Sequence, residues 1–350
     1  MRSILPYQQM RRAILAWHDR SARDLPWRGQ RDPYRIWVSE IMLQQTRAET
    51  VIPYYLRFLE HYPTVEALAS APEEALLKDW EGLGYYSRAR NLHRAAQMVA
   101  GELGGRFPQT VQGLRALPGV GAYTAGAVAS MAFGLPEPAI DGNQVRVLSR
   151  LFAIQGEIQS PPVKKRLREQ ALLLLDRERP GDFNQALMGL GALICLPRNP
   201  KCSGCPAAHL CLAKAQELQG QLPQTAPKAG QRVERRAVAL VFWEDKVLVR
   251  QRPDKGLLAR MWEFPHFLQA ESGAALEEAL AEMGVALRGR RTGPQARHVF
   301  THLIWEMTGY ICRAASGQVQ GGRYVDREQL AALPMASAHR VYREEAMSRL

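Results

Sequence analysis

Leu117-Pro118-Gly119-Val120-Gly121-Ala122-Tyr123-Thr124-Ala125 is the stretch on which the fold turns. It lies between two segments of helical pattern. Upstream, Phe107-Pro108-Gln109-Thr110 supplies a start signal, and Leu114 and Leu117 follow on one face. Downstream, Thr124 to Met131 is a run of small residues that predicts a closely packed helix ending near Gly134 and Pro136. The two glycines of the turn let the backbone pass close to a ligand with its N–H groups facing outward. With the positive end of the next helix, such a turn binds an anion. An ordinary corner between two helices uses glycines in the same way, so the turn alone does not name its ligand.

The surroundings of this turn are helical as far as residue 215, without convincing strand alternation. Ser70-Ala71-Pro72-Glu73 predicts a capping box opening a helix with Leu76, Leu77 and Trp80, stopped by Gly82. Ser39 to Arg47 predicts the start of a helix running to about Leu59, which puts Glu40 in a first turn, where the macrodipole favours a carboxylate. Asp141 followed by Gly142 predicts a cap before Val145 to Phe152, and Lys164 to Leu175 is a further amphipathic run. Composition shifts at about 216, where Gln, Pro and Gly predominate, so 216–231 is expected to be a linker. Beyond it the period changes. Ala237 to Trp243, a turn at Glu244-Asp245, and Lys246 to Arg250 predict a β-hairpin. His298 to Ile311 predicts another strand pair, and Glu277 to Met283 a short helix ended by Gly284. The expected architecture is multidomain: a mostly α-helical region over 1–215 and an α+β domain over 232–350.

The chain has 350 residues, and 46 Lys and Arg against 34 Asp and Glu give a net charge of +12, spread over both halves. That excess favours a polyanionic partner, and makes a nucleic-acid phosphate the leading ligand for the glycine turn. No apolar run approaches membrane-spanning length and no secretory signal is visible, which disfavours disulfides. Four of the five cysteines, Cys195, Cys202, Cys205 and Cys211, nevertheless crowd together as C-x6-C-x2-C-x5-C. Four thiolates at one place suit tetrahedral zinc or an iron–sulfur cluster. Zinc sites usually pair their ligands as two short knuckles, and only Cys202 and Cys205 form one here. Cys312 lies apart and is expected to be dispensable.

These residues together resemble the helix-hairpin-helix DNA glycosylase superfamily, and in particular its MutY-type adenine branch. Leu117 to Ala125 is similar to the hairpin of that superfamily, and the cysteine spacing to its 4Fe–4S loop. The resemblance therefore implies a 4Fe–4S cluster, with zinc as the alternative. In endonuclease III-type members the hairpin also carries a catalytic lysine. Here that position is Tyr123, and a phenol forms no Schiff base. Ser39-Glu40-Ile41-Met42-Leu43-Gln44-Gln45-Thr46-Arg47 is similar to the signature helix of the adenine branch. The resemblance implies that Glu40, kept partly protonated, donates to N7 of adenine, and that Asp141 stabilises positive charge on the sugar, electrostatically or by a transient bond. It places Arg28, Tyr123, Asn143 and Gln185 around the base. It gives Gly119, Val120 and Gly121 to the phosphate backbone, Gln45 and Thr46 to the DNA or the pocket, and Tyr85, with Leu83 nearby, to the wedge that fills the gap left by an extruded base. Two departures stand out: Gln144 where a hydrophobic residue is usual, and Gly189 where an acid is common.

Residues 232–350 resemble a Nudix fold whose metal box is degraded. Glu277 stands at the arginine position and Ala281 at one of the paired glutamates. The fold is expected to survive without the divalent-metal site. Phe300-Thr301-His302 resembles the loop with which MutY-type enzymes recognise 8-oxoguanine, and a hydroxyl beside an imidazole suits a purine edge. The implied activity is monofunctional release of adenine mispaired with 8-oxoguanine or guanine in duplex DNA, by a monomer in the cytoplasm, nucleoid-associated when bound to DNA, and with no membrane partner. The alternatives are a bifunctional glycosylase/lyase of endonuclease III type, a non-catalytic lesion-binding protein, and a nucleotide pyrophosphohydrolase, which the broken box disfavours.

Overall fold

The computed structural model describes residues 6–21, 23–227, 230–268 and 273–350. They form two compact units, one of Met1–Ser70 with Asn91–Pro227 and one of Ala71–Arg90 with Lys228–Leu350.

The first unit is helical, as its sequence predicts. The glycine turn joins the helices Val111–Ala116 and Ala122–Phe133. Thr110 caps the former by accepting from Gly113 N–H at 3.1 Å. Gly119 has φ +75°, and a Cβ there would stand 2.6 Å from Cβ of Asn91, so the turn requires glycine twice over. The small residues of Ala122–Phe133 permit close approach: a Cβ on Gly126 would meet Pro138 O at 2.4 Å. Gly134, with φ 66°, ends that helix in the left-handed region. Its neighbours pack Met10, Ile14, Leu148, Leu151, Phe183 and Leu187 into one core. Within the expected linker, Leu222 O accepts from Arg150 and Gln224 O from Ile158 N–H, so this part of the stretch is bound to the first unit.

Two local expectations fail here. The helix containing Glu40 begins earlier, at Pro33, and runs to Leu43, capped by Asp32, which accepts from Tyr34 N–H. The chain then breaks, with Gln45 at φ 59°, before a new helix Ala48–His61. Glu40 therefore sits in a last turn instead of a first. Ser70 does not form a capping box: its hydroxyl donates back to Glu66 O and Ala67 O at the end of Val65–Ser70, and Pro72 precedes the helix Glu73–Asp79 with no side-chain cap.

The second unit is built on seven strands: β1 (Arg232–Trp243), β2 (Lys246–Gln251), β3 (Trp262–Glu263), β4 (His266–Leu268), β5 (Leu287–Val299), β6 (Leu303–Ala314) and β7 (Arg323–Val325). The main order is β3-β2-β1-β6-β5, with β1 parallel to β6. The hairpin β1–β2 turns at Glu244-Asp245 as expected, and β5–β6 closes at 300–302. Alternate residues of β1 enter different cores. Val238 and Leu240 pack with Phe264, Trp305 and Tyr342, while Ala237, Ala239 and Val241 pack with Leu276, Leu280 and Cys312. Helices thus cover both faces of β1 over Ala237–Val241, which is why that stretch lacks a polar side, whereas β5 is largely exposed. The segment 71–90 is tied into this unit: Trp262 Nε1 donates to Glu74 Oε1 at 2.7 Å, and Arg343 pairs with Glu81 at 2.7 Å.

Candidate active site

Glu40 is buried, and Tyr123 Oη donates to its Oε2. Burial pushes the Glu40 carboxyl up to about 7; the Tyr123 bond pulls it down and the nearby Asp141 charge pushes it further up. The break after Leu43 adds an argument of its own. The carbonyl end of a helix disfavours an anion, so a carboxylate in the last turn is held toward its neutral form. Gln44 Nε2 donates to Thr124 Oγ1 at 3.2 Å, fixing the end of this helix against the start of Ala122–Phe133.

Asp141 caps Gly142–Leu151, accepting from Gln144 N–H at 2.7 Å and from Asn143 Nδ2 at 2.9 Å. Burial raises its pKa, and these bonds oppose the rise. Asn143 is itself fixed. Its Oδ1 accepts from Arg146 Nη2 at 2.9 Å, while the same guanidinium donates to Gly191 O and to Cys195 O, each at 2.7 Å. A side-chain chain thus runs from Asp141 through Asn143 and Arg146 to the backbone of the first clustered cysteine. Gly191 makes room for it, since a Cβ there would lie 2.6 Å from Cβ of Asn143. Gln144, the unusual polar residue, is buried and donates to Asn184 O at 3.1 Å. Sequence reading found Asp141 and Asn143 but missed Arg146. Its only signal was its spacing, one turn beyond Asn143.

Arg150 holds the other side of the cysteine loop, donating to Cys195 Sγ at 3.3 Å, Leu196 O at 2.7 Å and Pro197 O at 3.1 Å. Cys195, Cys202, Cys205 and Cys211 line one cavity with Val147, Leu151 and Ile194. Burial pushes the Cys205 thiol up to about 11 and raises Cys211, and the neighbouring sulfurs act in the same direction.

The remaining expected residues are distributed as follows. Arg28 Nη1 donates to Arg23 O at 3.0 Å, and burial lowers its pKa. Gln185 and Gly189 lie four apart on Pro180–Leu193, and a Cβ on Gly189 would stand 3.9 Å from Arg28 Nη2 and 3.6 Å from the Trp17 ring. Gln45 and Thr46 occupy the break after Leu43. In the hairpin Gly119 and Gly121 are exposed, whereas Val120 is buried and its N–H donates to Leu117 O. Tyr85 is 47% exposed with φ 48°, while Leu83 beside it is buried. Of the two, only the tyrosine side chain is exposed. Its hydroxyl lies 2.9 Å from Thr301 Oγ1, within the second unit. The structure thus brings Tyr85 to the 300–302 loop, which sequence separation concealed. No helix among the described residues is long and apolar enough to cross a membrane.

Residues 38–171 match the family model described as HhH-GPD superfamily base excision DNA repair protein, and residues 237–345 match the NUDIX domain. The chain is 37% identical to the adenine DNA glycosylase of Rattus norvegicus, over 95% of this chain and 78% of that one. It is 36% identical to the adenine DNA glycosylase of Homo sapiens, over 96% and 74%. Among solved structures, a thermostable thymine-DNA glycosylase superposes with a TM-score of 0.56 at 36% identity, over 60% of this chain and 97% of that one. Endonuclease III in a non-covalent DNA complex gives 0.52 at 25% identity, over 62% and 100%.

Proposed function

The chain belongs to the adenine DNA glycosylases, N-glycosylases of base excision repair, and from that premise we propose that Glu40 and Asp141 share the release of adenine from duplex DNA. The observation that carries this reading is the buried Glu40 carboxyl, held near neutrality at about 7. A neutral acid there donates its proton to N7 of the extruded adenine, so the base leaves uncharged. Asp141 faces the cation that develops on the sugar, its charge supported by the Gln144 N–H and Asn143 Nδ2 bonds. One carboxyl is kept neutral and the other ionised, as in glycoside hydrolysis. Tyr123 spends its hydroxyl on Glu40 and offers no amine, which supports a monofunctional enzyme that leaves an abasic site.

Arg28, Asn143 and Gln185 border the base in this reading, and Gly119 and Gly121 with the start of Ala122–Phe133 take a phosphate. Gln45, Thr46 and Tyr85 meet the duplex, and Phe300, Thr301 and His302 meet 8-oxoguanine, or guanine in its place. The four cysteines fit a 4Fe–4S cluster better than zinc. Zinc sites usually pair their ligands as two short knuckles, and only Cys202 and Cys205 form one here. Arg146 and Arg150 supply positive charge beside the ligand set. When bound, such a cluster would pull the thiol protons away and brace the loop. In domain terms, 1–215 carries catalysis, 216–231 the connection and 232–350 lesion recognition. The protein acts as a cytoplasmic monomer on the nucleoid.

Base release from A:8-oxoguanine, A:G and A:T duplexes tests this reading, with wild type and Glu40→Gln. Release is expected from the first two, and its absence from every adenine-containing duplex sinks the assignment. Borohydride trapping with strand cleavage on abasic DNA would instead favour a lyase.

A further inference from the structure

The Phe300–His302 loop is held from three sides. Phe300 N–H donates to Leu303 O at 2.8 Å and closes it. Gln231 Nε2 donates to Phe300 O at 2.5 Å, and Arg232 N–H to His302 O at 3.4 Å. Beneath it, the Phe300 ring stands edge-on to Trp305, with centroids 4.8 Å apart and planes at 70°. Trp305 is fully buried, and what surrounds it is not apolar filling. The Arg236 guanidinium lies over its ring at 4.5 Å, and Trp305 Nε1 donates to Glu234 Oε2 at 3.2 Å. Arg236 also donates to Glu234 at 2.6 Å and to His266 Nδ1 at 2.9 Å. That bond fixes the tautomer: the proton is on Nε2, which donates to Glu263 Oε2 at 2.7 Å. Arg250 and Arg252 complete the Glu263 carboxylate at 2.9 and 2.7 Å.

The carboxylate and the imidazoles of His266 and His339 have ligand atoms within 4.8 Å of one another. They do not make a metal site, because the Arg252 guanidinium already stands 2.7 Å from Glu263 Oε2 and 3.2 Å from His266 Nε2. The group's chemistry is that of a scaffold. Charges buried together contribute little net stability compared with apolar residues of the same volume, but they admit few arrangements. Here Arg236 and Glu234 each touch the indole of Trp305 and bond to one another.

We propose that Trp305 is a positioning residue for lesion recognition: oriented by Arg236, Glu234 and the Glu263–His266 pair, it seats Phe300 and so sets where Thr301 Oγ1 and His302 meet the base opposite adenine. This rests on the reading of 300–302 as the lesion loop. Discrimination then depends on a ring that itself touches no DNA, and the network acts on the A:8-oxoguanine reaction without touching Glu40 or Asp141.

The test compares single-turnover rates and dissociation constants on A:8-oxoguanine and A:G duplexes for Trp305→Ala, Trp305→Phe, Arg236→Met and Thr301→Ala. Trp305→Ala is expected to lower the preference for A:8-oxoguanine about tenfold while release from A:G persists. Trp305→Phe, which keeps an aromatic ring, should recover most of the preference, and Arg236→Met should lose part of it. Equal losses on both duplexes, or an unchanged ratio in Trp305→Ala, overturn the proposal. If Trp305→Ala fails to fold, an unchanged ratio in Arg236→Met does the same. If Thr301→Ala leaves the ratio unchanged, the lesion-loop reading falls. If Thr301→Ala lowers the ratio and the Trp305 and Arg236 variants do not, only the positioning role falls.

Discussion

Glu40→Gln should produce an enzyme that is inactive and, above neutral pH, more stable than wild type. The Glu40 carboxyl is raised by burial from 4.5 to about 7. Between those values the native protein keeps a proton that the unfolded chain releases, so native stability falls as pH rises through the window. The span is 7 − 4.5 = 2.5 units, and at about 1.36 kcal/mol per unit it amounts to about 3 kcal/mol of destabilisation, complete by pH 8 and absent near pH 4. Glutamine has the same shape, keeps an oxygen for the Tyr123 hydroxyl, and carries no titrating proton. The variant should therefore match wild type near pH 4 and exceed it by about 3 kcal/mol at pH 8. Urea denaturation of both proteins at several pH values, followed by tryptophan fluorescence of the helical unit, measures the difference; shared titrating groups cancel in it. The kinetic counterpart uses the same group. Wild-type single-turnover release should fall about tenfold per pH unit above about pH 7, because the proton donor is lost. A stability difference that is flat between pH 5 and 8, or a variant weaker than wild type at pH 8, would refute the buried-acid argument.

Arg146→Ala removes three bonds, to Asn143 Oδ1, Gly191 O and Cys195 O, and leaves Asn143 without that support, while Asp141 keeps the Gln144 N–H bond. Charge-assisted bonds of this kind predict a ten- to hundredfold slower single-turnover release, to order of magnitude, with little change in DNA dissociation constant. An unaltered rate would show that Asn143 needs no support. Cys202→Ser should lower iron and sulfide content, melting temperature and DNA affinity, whereas the release rate of whatever complex still forms should change less. Cys312→Ala, in the apolar core beside Leu276 and Leu280, should retain full iron content and base release at a cost of about 1 kcal/mol in stability.

Where sequence and structure agree, the signals were local and chemical. The glycine turn, the Asp141 cap, the left-handed end at Gly134 and the Glu244-Asp245 hairpin each depend on a residue whose backbone or side chain permits few alternatives. Trp305 and its arginines were not legible, because their meaning arises only when β1, β2, β4 and β6 lie together. The break after Leu43 was half legible. Asp32 followed by Pro33 is a helix start that can be read from two residues, but the apolar pattern, after a polar stretch over 44–50, resumes at Val51, and no glycine or proline marks Gln44 to Thr46. The interruption coincides with a tertiary bond, Gln44 to Thr124, which brings the end of one helix to the start of the hairpin's second helix.

That displacement of one helix boundary bears directly on the chemistry. In a first turn, the free N–H groups would have favoured an ionised Glu40, and an ionised carboxylate has no proton to give. In a last turn the dipole and burial act in the same direction, and the Tyr123 bond opposes them only in part. Burial, with the local field acting in the same direction, is what makes this residue a proton donor near neutral pH. Asp141 shows the converse. As an N-cap it meets helix N–H groups, the end that favours an anion, and the Asn143–Arg146 chain adds to that support. Burial raises both carboxyls; what separates them is that Asp141 has helix N–H groups, Asn143 and Arg146 opposing the rise, whereas Glu40 has only the Tyr123 hydroxyl. Exchanging their environments, not their identities, would be enough to disable the site.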